Sequence, residues 1–306
     1  MRVGIIGLIN HDTIFMAGGR RIQDLGGILY NTTVMADLVD EDDALYPISR
    51  IGTDCYDAMR AILDPRPAVS NRGVRVSRTG TSRNRIRYDE EMEKVEQLTN
   101  HIGPIPFAQI EPFLDLDALL VNFIVGDDIS LETMAAVRER ATGLLYLDVH
   151  NLCLGIDAEG YRQRRAPGDW HRWIEMFDVV QMNEVEARLL AGVPGGLLET
   201  VDDFIAFGRS VIALGPSVCV ITRGPLGPVT VYRKDRETRA IAIPSEPARD
   251  VVDTTGCGDA FAAGFVVEYA AMKDPIGATR LANRVASVNC TVAGLPNTGT
   301  FSDIRL

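Results

Sequence analysis

The stretch Asp253-Thr254-Thr255-Gly256-Cys257-Gly258-Asp259 joins a short apolar segment to a long run of small and apolar residues with helical character. Its two glycines let the backbone turn tightly, so that several N–H groups converge at the start of a helix, where the helix dipole adds partial positive charge. We expect the backbone of Gly256, Cys257 and Gly258 to form an anion hole for a phosphate group. Asp259 would follow in the first helical turn as a base for an acceptor hydroxyl, with its pKa lowered by the dipole.

The composition is that of an ordinary globular protein of 306 residues, with 42 acidic and 31 basic residues and a formal charge of −11. This acidic balance argues against a nucleic-acid partner, because binding a polyanion needs a basic face. The apolar start Met1–Gly7 is too short for a signal peptide or a membrane span, so we expect a cytoplasmic protein without membrane contact. The five cysteines lack CxxC pairing, which indicates neither a disulfide framework nor a zinc site.

Short apolar runs alternate with helical patterns along most of the chain, which predicts an α/β fold with a central, mainly parallel sheet and helices on both faces. Asp128, Asn183 and Asp202 are available as caps near the helix starts. The predicted strands are Val3 to Leu8, Ala118 to Val125, Leu144 to Val149, Val179 to Met182 and Val218 to Thr222. The predicted helices are Leu131 to Arg140, Glu184 to Leu190 and Val201 to Ala213, and the chain after Asp253 is almost wholly helical.

The segment around residues 72–88 has a different pattern. Arg83, Arg85 and Arg87 alternate with other residues at a period of two, which is typical of an exposed strand. We predict a small β lid formed by about residues 12–25 and 72–110, attached to a single domain that spans residues 1–306. The arginines would either reach a carboxylate or phosphate on the substrate or protect a sheet edge from pairing.

Five motifs occur in order along nearly the whole chain, and together they are more specific than a lone glycine-rich turn. They resemble the signatures of the pfkB (ribokinase-like) carbohydrate kinase family. These motifs are GGxxxN at Gly26-Gly27-Ile28-Leu29-Tyr30-Asn31, GxD at Gly52-Thr53-Asp54, NxxE at Asn183-Glu184-Val185-Glu186, TxGxxG at Thr222-Arg223-Gly224-Pro225-Leu226-Gly227 and DTxGxGD at Asp253 to Asp259.

The resemblance implies a ribokinase-like fold and an ATP-dependent kinase with Asp259 as catalytic base. It places Glu186 near Mg²⁺, through water, with a solvated helix face as the alternative for this residue. In some family members a K⁺ ion binds beside the anion hole, at the positions of Asp253 and Thr255. The nucleotide-binding positions that it implies are Asn183, Thr222, Gly224, Gly227 and Asn283.

The acceptor side is predicted at the end of the first strand and in the GGxxxN motif. Asn10 and Asp12 are two residues apart on one face of an extended segment, a spacing that suits recognition of a polyol. By resemblance, Gly27 and Asn31 also belong to the substrate site, and Asn122 faces it. Ile28, Leu29 and Tyr30 stand where ribokinase has Gly-Lys-Gly, which predicts a more apolar pocket.

We therefore predict phosphorylation of a hydroxyl on a sugar or a sugar-like small molecule. The alternatives are a nucleoside kinase of the same family and a non-catalytic nucleotide-binding regulator. The family resemblance also implies that two copies of the chain associate as a homodimer through the β lid.

Overall fold

The computed structural model describes residues 1–15, 21–88, 94–192, 198–248 and 250–304. Across these residues the strands, in chain order, are β1 (Arg2–Ile6), β2 (Asn10–Phe15), β3 (Arg21–Leu25), β4 (Ala44–Gly52), β5 (Val74–Ser77), β6 (Ser82–Tyr88), β7 (Lys94–Asn100), β8 (Ala118–Asn122), β9 (Leu144–Asp148), β10 (Leu154–Ile156), β11 (Arg162–Arg164), β12 (Val179–Asn183), β13 (Val218–Thr222), β14 (Val229–Lys234) and β15 (Glu237–Ala242).

The helices also follow the apolar periodicity of the sequence. They are α1 (Leu29–Leu38), α2 (Tyr56–Leu63), α3 (Phe107–Ile110), α4 (Leu131–Arg140), α5 (Trp170–Ile174), α6 (Glu184–Leu190), α7 (Val201–Ala213), α8 (Cys257–Met272) and α9 (Pro275–Asn289). No helix in the described part of the chain is long and apolar enough to cross a membrane.

The largest sheet has the strand order β15-β14-β13-β12-β9-β8-β1-β4-β5 in the described residues. Its pairs are parallel from β13 to β5, and only the two pairs that join β13, β14 and β15 are antiparallel. β8 and β9 are buried along their full length, as expected of central parallel strands covered on both faces. The predicted central, mainly parallel sheet is confirmed. Its parallel strands end together at one edge, where ligands bind in open α/β sheets.

A second sheet of four strands, in the order β3-β2-β6-β7, occupies parts of the ranges predicted for the lid. Residues 16–20 and 89–93 of those ranges lie outside the described residues. Asp54 connects this sheet to the large one, because its carboxylate accepts hydrogen bonds from the Thr81 N–H at 3.0 Å and from Arg83 Nη2 at 2.6 Å. The single-domain division and the lid role stay predictions.

Three local predictions were wrong. β6 lies between β2 and β7, so its arginines do not guard a sheet edge. Helix α4 is capped by Ser130, because the Asp128 carboxylate is buried and accepts the N–H groups of Leu8, Val125 and Gly126. Helix α7 is capped by Thr200 rather than Asp202, which lies inside the first turn.

Candidate active site

Helix α8 begins without a side-chain cap. Gly256 at its N-cap has a φ of 74°, in the left-handed region that favours glycine. A Cβ at this position would lie 2.3 Å from Cδ1 of Tyr30, so a larger residue would collide with the tyrosine ring. The tight turn therefore depends on glycine, and it leaves the first N–H groups of α8 without a capping side chain.

Asp259 lies in the first turn of α8 and is 8% exposed. Asn122 Nδ2 donates to Asp259 Oδ1 at 2.5 Å and to Asn31 Oδ1 at 2.9 Å. Asn31 Nδ2 donates to the Asp259 carbonyl at 3.0 Å, and Nδ1 of His150 lies 3.0 Å from Asn122 Oδ1. The ends of β8 and β9 and the start of α1 thus fix the carboxylate in one orientation.

Burial raises the pKa of Asp259 above its usual range, which corrects the expectation of a lowered pKa. The charge of His150 and the hydrogen bond from Asn122 act in the opposite direction but do not offset the loss of water. Desolvation of an enclosed carboxylate exceeds the effect of the helix dipole here. The raised pKa makes Asp259 a better proton acceptor than an exposed aspartate.

Two buried polar residues that no motif predicted support the glycine turn from the neighbouring strands. Gln181 Nε2 donates to the Gly258 carbonyl at 3.0 Å and to Asp148 Oδ2 at 3.1 Å. Burial raises the pKa of Asp148 well above its usual range, and the charges of Glu186 and Asp259 add to the rise. The signal that could have found Asp148 and His150 is a polar residue at or just after the carboxyl end of an otherwise apolar strand, whereas Gln181 is a polar residue inside the apolar strand β12.

Asn183 and Glu186 form a capping box at the start of α6. Asn183 Oδ1 accepts the N–H of Glu186 at 2.9 Å, while Glu186 Oε2 accepts the N–H of Asn183 at 2.8 Å. Glu186 is 7% exposed, and burial raises its pKa to about 7. The alternative of a solvated helix face is therefore wrong for Glu186, whereas Glu184 does form an outward pair with Arg188 at 3.0 Å.

The TxGxxG motif forms a loop between β13 and β14. Gly224 and Gly227 have φ values of 51° and 75°, and a Cβ on Gly227 would lie 2.1 Å from the Ile243 carbonyl oxygen. Thr222 Oγ1 donates to the Met182 carbonyl at 3.5 Å. Asn283, on α9, donates from Nδ2 to the Pro244 carbonyl at 2.7 Å and so fixes the segment that follows β15.

Asn10 and Asp12 lie over the glycines of GGxxxN. Asn10 Nδ2 donates to Asp12 Oδ1 at 2.7 Å, and Asn10 Oδ1 is buried without a partner among the described residues. Gly27 has a φ of 68°, and a Cβ there would lie 2.2 Å from the Leu8 carbonyl oxygen. Burial raises the pKa of Tyr30, and carboxylates that include Asp259 and Asp12 raise it further. Tyr30 therefore lies within the electrostatic reach of both the acceptor pair and Asp259.

The predicted apolar character of the acceptor pocket rests on Tyr30 alone. Ile28 and Leu29 have no exposed surface and belong to the core. Asn31 is fully buried as well, and both ends of its amide already have protein partners.

Asp253 and Thr255 stabilise the turn that precedes α8. Asp253 Oδ1 accepts the N–H of Thr255 at 2.9 Å, and the Thr255 carbonyl accepts Nδ2 of Asn289 at 3.0 Å. The sulfur atoms of Cys257 and Cys290 are 2.7 Å apart, and both carry free thiols. Within the described residues, no group of three or more His, Cys, Asp or Glu side chains is placed to hold a metal ion.

The sequence and the fold were compared with those of known proteins. Residues 150–299 match the model for pfkB family carbohydrate kinases. A pfkB family domain is thus found at residues 150–299. The chain is 28% identical to a cytidine kinase of Thermococcus kodakarensis over 274 residues, which is 87% of either chain.

Solved structures agree on the fold. The chain superposes on Arabidopsis thaliana ribokinase complexed with ribose and ATP with a TM-score of 0.76 at 21% identity, covering 99% of this chain and 98% of the ribokinase. A pyrophosphate-dependent kinase in the ribokinase family superposes with a TM-score of 0.77 at 18% identity, covering 98% and 99% of the two chains. The predicted ribokinase-like fold is confirmed. The family matches also confirm the predicted enzyme class, a phosphotransferase with a hydroxyl acceptor.

Proposed function

We propose that this kinase transfers the γ-phosphoryl group of Mg·ATP to a hydroxyl of a sugar or a sugar-like small molecule. The observation that carries the proposal is the buried carboxylate of Asp259 in the first turn of the uncapped helix α8. Asn122 orients Asp259 toward the acceptor hydroxyl. Asp259 takes the proton of that hydroxyl as the new P–O bond forms and the bond between the γ-phosphorus and ADP breaks. The N–H groups of Gly256, Cys257 and Gly258 stabilise the charge on the transferring group.

The ATP-binding site is assigned to the loop that contains Thr222, Gly224 and Gly227 and to Asn283 on α9. Asn183 is assigned to a position near the phosphates. Glu186, Asp148 and Asp259 are buried carboxyl groups. Burial raises the pKa values of Asp148 and Glu186, the charge of Asp259 adds to both rises, and the charge of Glu186 adds to that of Asp148, an arrangement that fits a nearby divalent cation. Mg²⁺, held by Glu186 through water, would supply charge neutralisation on the donor phosphates. Asp253 and Thr255 would supply oxygen ligands to K⁺.

The acceptor side is assigned to Asn10, Asp12, Gly27, Asn31 and Asn122. Asn10 Oδ1, buried and unpartnered in the described structure, supports this assignment because it is an acceptor in need of a hydroxyl donor. A nucleoside acceptor is the second candidate, favoured by the similarity to a cytidine kinase along 87% of the chain. Association of two copies through the four-stranded sheet and a cytoplasmic location remain part of the proposal.

Asp259→Asn tests the proposal. We expect this variant to bind ATP normally but to lose roughly 10²- to 10⁴-fold in kcat, the usual contribution of a positioned base. Asp202→Asn is the matched control, since Asp202 is an exposed aspartate in the first turn of α7. Each protein is assayed with ATP and with pyrophosphate against sugars, sugar acids and nucleosides. Near-normal turnover by Asp259→Asn would refute its role, and turnover with pyrophosphate alone would refute the ATP assignment.

A further inference from the structure

A cavity of about 280 Å³ adjoins the candidate active site on the side of α6. It lies between the capping box, the turn after β9, the strand β11 and the edge of the four-stranded sheet. The charged and polar residues that line it include Glu96, His150, Arg162, Arg164, Asn183 and Glu186. No sequence motif marked the two arginines.

The arginines lie on a hairpin beside this cavity. β10 and β11 pair antiparallel, and the turn between them is bonded to β7 of the four-stranded sheet. The Leu98 N–H donates to the Gly160 carbonyl at 2.8 Å, and Gln97 Nε2 donates to the Glu159 carbonyl at 2.9 Å. The hairpin is therefore anchored at its tip as well as at its base, so its strand is a fixed element rather than a loose surface loop.

Arg162 and Arg164 are two residues apart in β11, so their side chains leave the strand on the same face. Arg162 Nη1 donates to the Val125 carbonyl at 2.6 Å, whereas its Nε is buried and has no partner among the described residues. Burial raises the pKa of Glu186, and the charge of Arg164 opposes that rise. Both arginines line the cavity beside Glu186, and Arg162 Nε is a buried donor that has no partner in the described structure.

We propose that Arg162 and Arg164 bind an anionic group, a phosphate or a carboxylate, beside the phosphoryl-transfer centre. The planar guanidinium fork matches the oxygens of either group. This anion site adds to the proposed kinase function and rests on it, because the kinase reaction supplies the anion. The source of the anion is either the phosphates of the donor or an anionic substituent on the acceptor.

Calorimetric titration of the whole protein with inorganic phosphate and with pyrophosphate tests the site independently of turnover. We expect Arg164→Gln to weaken binding of at least one of these anions roughly 10- to 100-fold, the range for loss of a hydrogen bond to a charged group. Arg164 is exposed, so its removal should not prevent folding. Arg165→Gln is the matched control, because Arg165 is the next exposed residue and its side chain lies beside Gly155.

Steady-state kinetics separate the two sources. If the donor supplies the anion, Arg164→Gln raises KM for ATP with every acceptor. If the acceptor supplies it, KM rises for sugar phosphates or sugar acids and stays unchanged for neutral acceptors. Unchanged anion binding in Arg164→Gln, or an equal loss in Arg165→Gln, would overturn the inference. Asp259→Asn should keep the anion affinity, so failure of the base assignment is distinguishable from failure of the arginine site.

Discussion

Helices α6 and α8 both begin at the active-site edge of the large sheet, but their first turns differ. At α6 the side chain of Asn183 accepts the N–H groups of Val185 and Glu186, and Glu186 returns a bond to the backbone of Asn183. At α8 the N-cap is Gly256, which has no side chain to offer. The start of α6 is capped by its own side chains, whereas no side chain caps the start of α8, where the Cys257 N–H makes a long bond of 3.3 Å to the Thr254 carbonyl.

The difference supports the proposal that the start of α8 binds an anion. A side-chain cap stabilises a helix by about 1 kcal/mol relative to alanine, and a glycine at the N-cap of α8 loses only a few tenths of a kcal/mol relative to such a cap. The 16 residues of α8 offset the loss by burying Phe261, Phe265 and their small neighbours in the core. A helix start without a side-chain cap, on an otherwise well-packed helix, is expected where backbone donors serve a bound anion.

After Asp259→Asn, the largest expected effect at the two helix starts comes from Gly256→Ala, which would abolish the special geometry of the α8 start. The φ of 74° is strained for alanine, and its Cβ would collide with Tyr30 at 2.3 Å. We expect a loss of roughly 10²- to 10³-fold in kcat, as for removal of an oxyanion-hole donor. Steady-state kinetics measure it, and thermal unfolding confirms that the protein is folded.

Gly192→Ala is the control for backbone strain alone, since Gly192 has a φ of 69° and a Cβ added there would meet nothing within 4 Å. The Gly192→Ala variant should carry a similar backbone strain, because alanine is also unfavourable at this φ, but its kcat should stay at the wild-type value. Wild-type kcat in Gly256→Ala would mean that the α8 start does not hold the transferring group.

A smaller effect is expected at the capped helix, and it depends on pH. Burial raises the pKa of Glu186 to about 7, so its carboxyl group becomes protonated as the pH falls below that value. The protonated group no longer attracts Mg²⁺ or its waters. We expect the Mg²⁺ concentration needed for half-maximal rate to rise up to about tenfold per pH unit below the pKa, since each unit lowers the ionised fraction tenfold.

Glu186→Gln should need more Mg²⁺ at every pH and show a flat profile over this range. Glu184→Gln, on the same helix turn but paired outward with Arg188, should follow the wild type. A Glu186→Gln profile that keeps the wild-type pH dependence would assign that dependence to another group. The measurement is initial rate against Mg²⁺ concentration between about pH 5.5 and 8.5, a range that brackets the raised pKa of Glu186.

The two helix starts also show how far the sequence could predict this molecule. Helices α4, α6 and α7 were predicted with the bounds that the structure has, because apolar periodicity is a local signal. Asn183 was predicted as a cap for the same reason. Asp128 was not a cap, because its buried carboxylate binds backbone groups that include Leu8, 120 residues away.

The properties of the candidate active site depend on contacts between residues that are distant in the sequence, and these contacts could not be predicted. The glycine turn and Asp259 were visible in one motif, but the sign of the Asp259 pKa shift was not, because burial comes from strands elsewhere in the chain. His150 and Gln181 carried no motif, and their positions follow from the order of β8, β9 and β12 in the sheet. The residues assigned to donor and acceptor stay predictions until substrates are tested.

The smallest expected effect is that of Cys257→Ala, and it decides whether the α8 start acts through its backbone. If the N–H of Cys257 stabilises the phosphoryl group, removal of the sulfur should change kcat by no more than about threefold, well below the loss from removing a donor. Cys290→Ala is the matched control, because it removes the same 2.7 Å sulfur contact without altering the glycine turn. Equal, small changes in both variants would assign the sulfur atoms to packing. A loss in Cys257→Ala comparable to that of Gly256→Ala would instead show that the side chain of Cys257 takes part in transfer, and the contrast between the two helix starts would no longer rest on backbone donors.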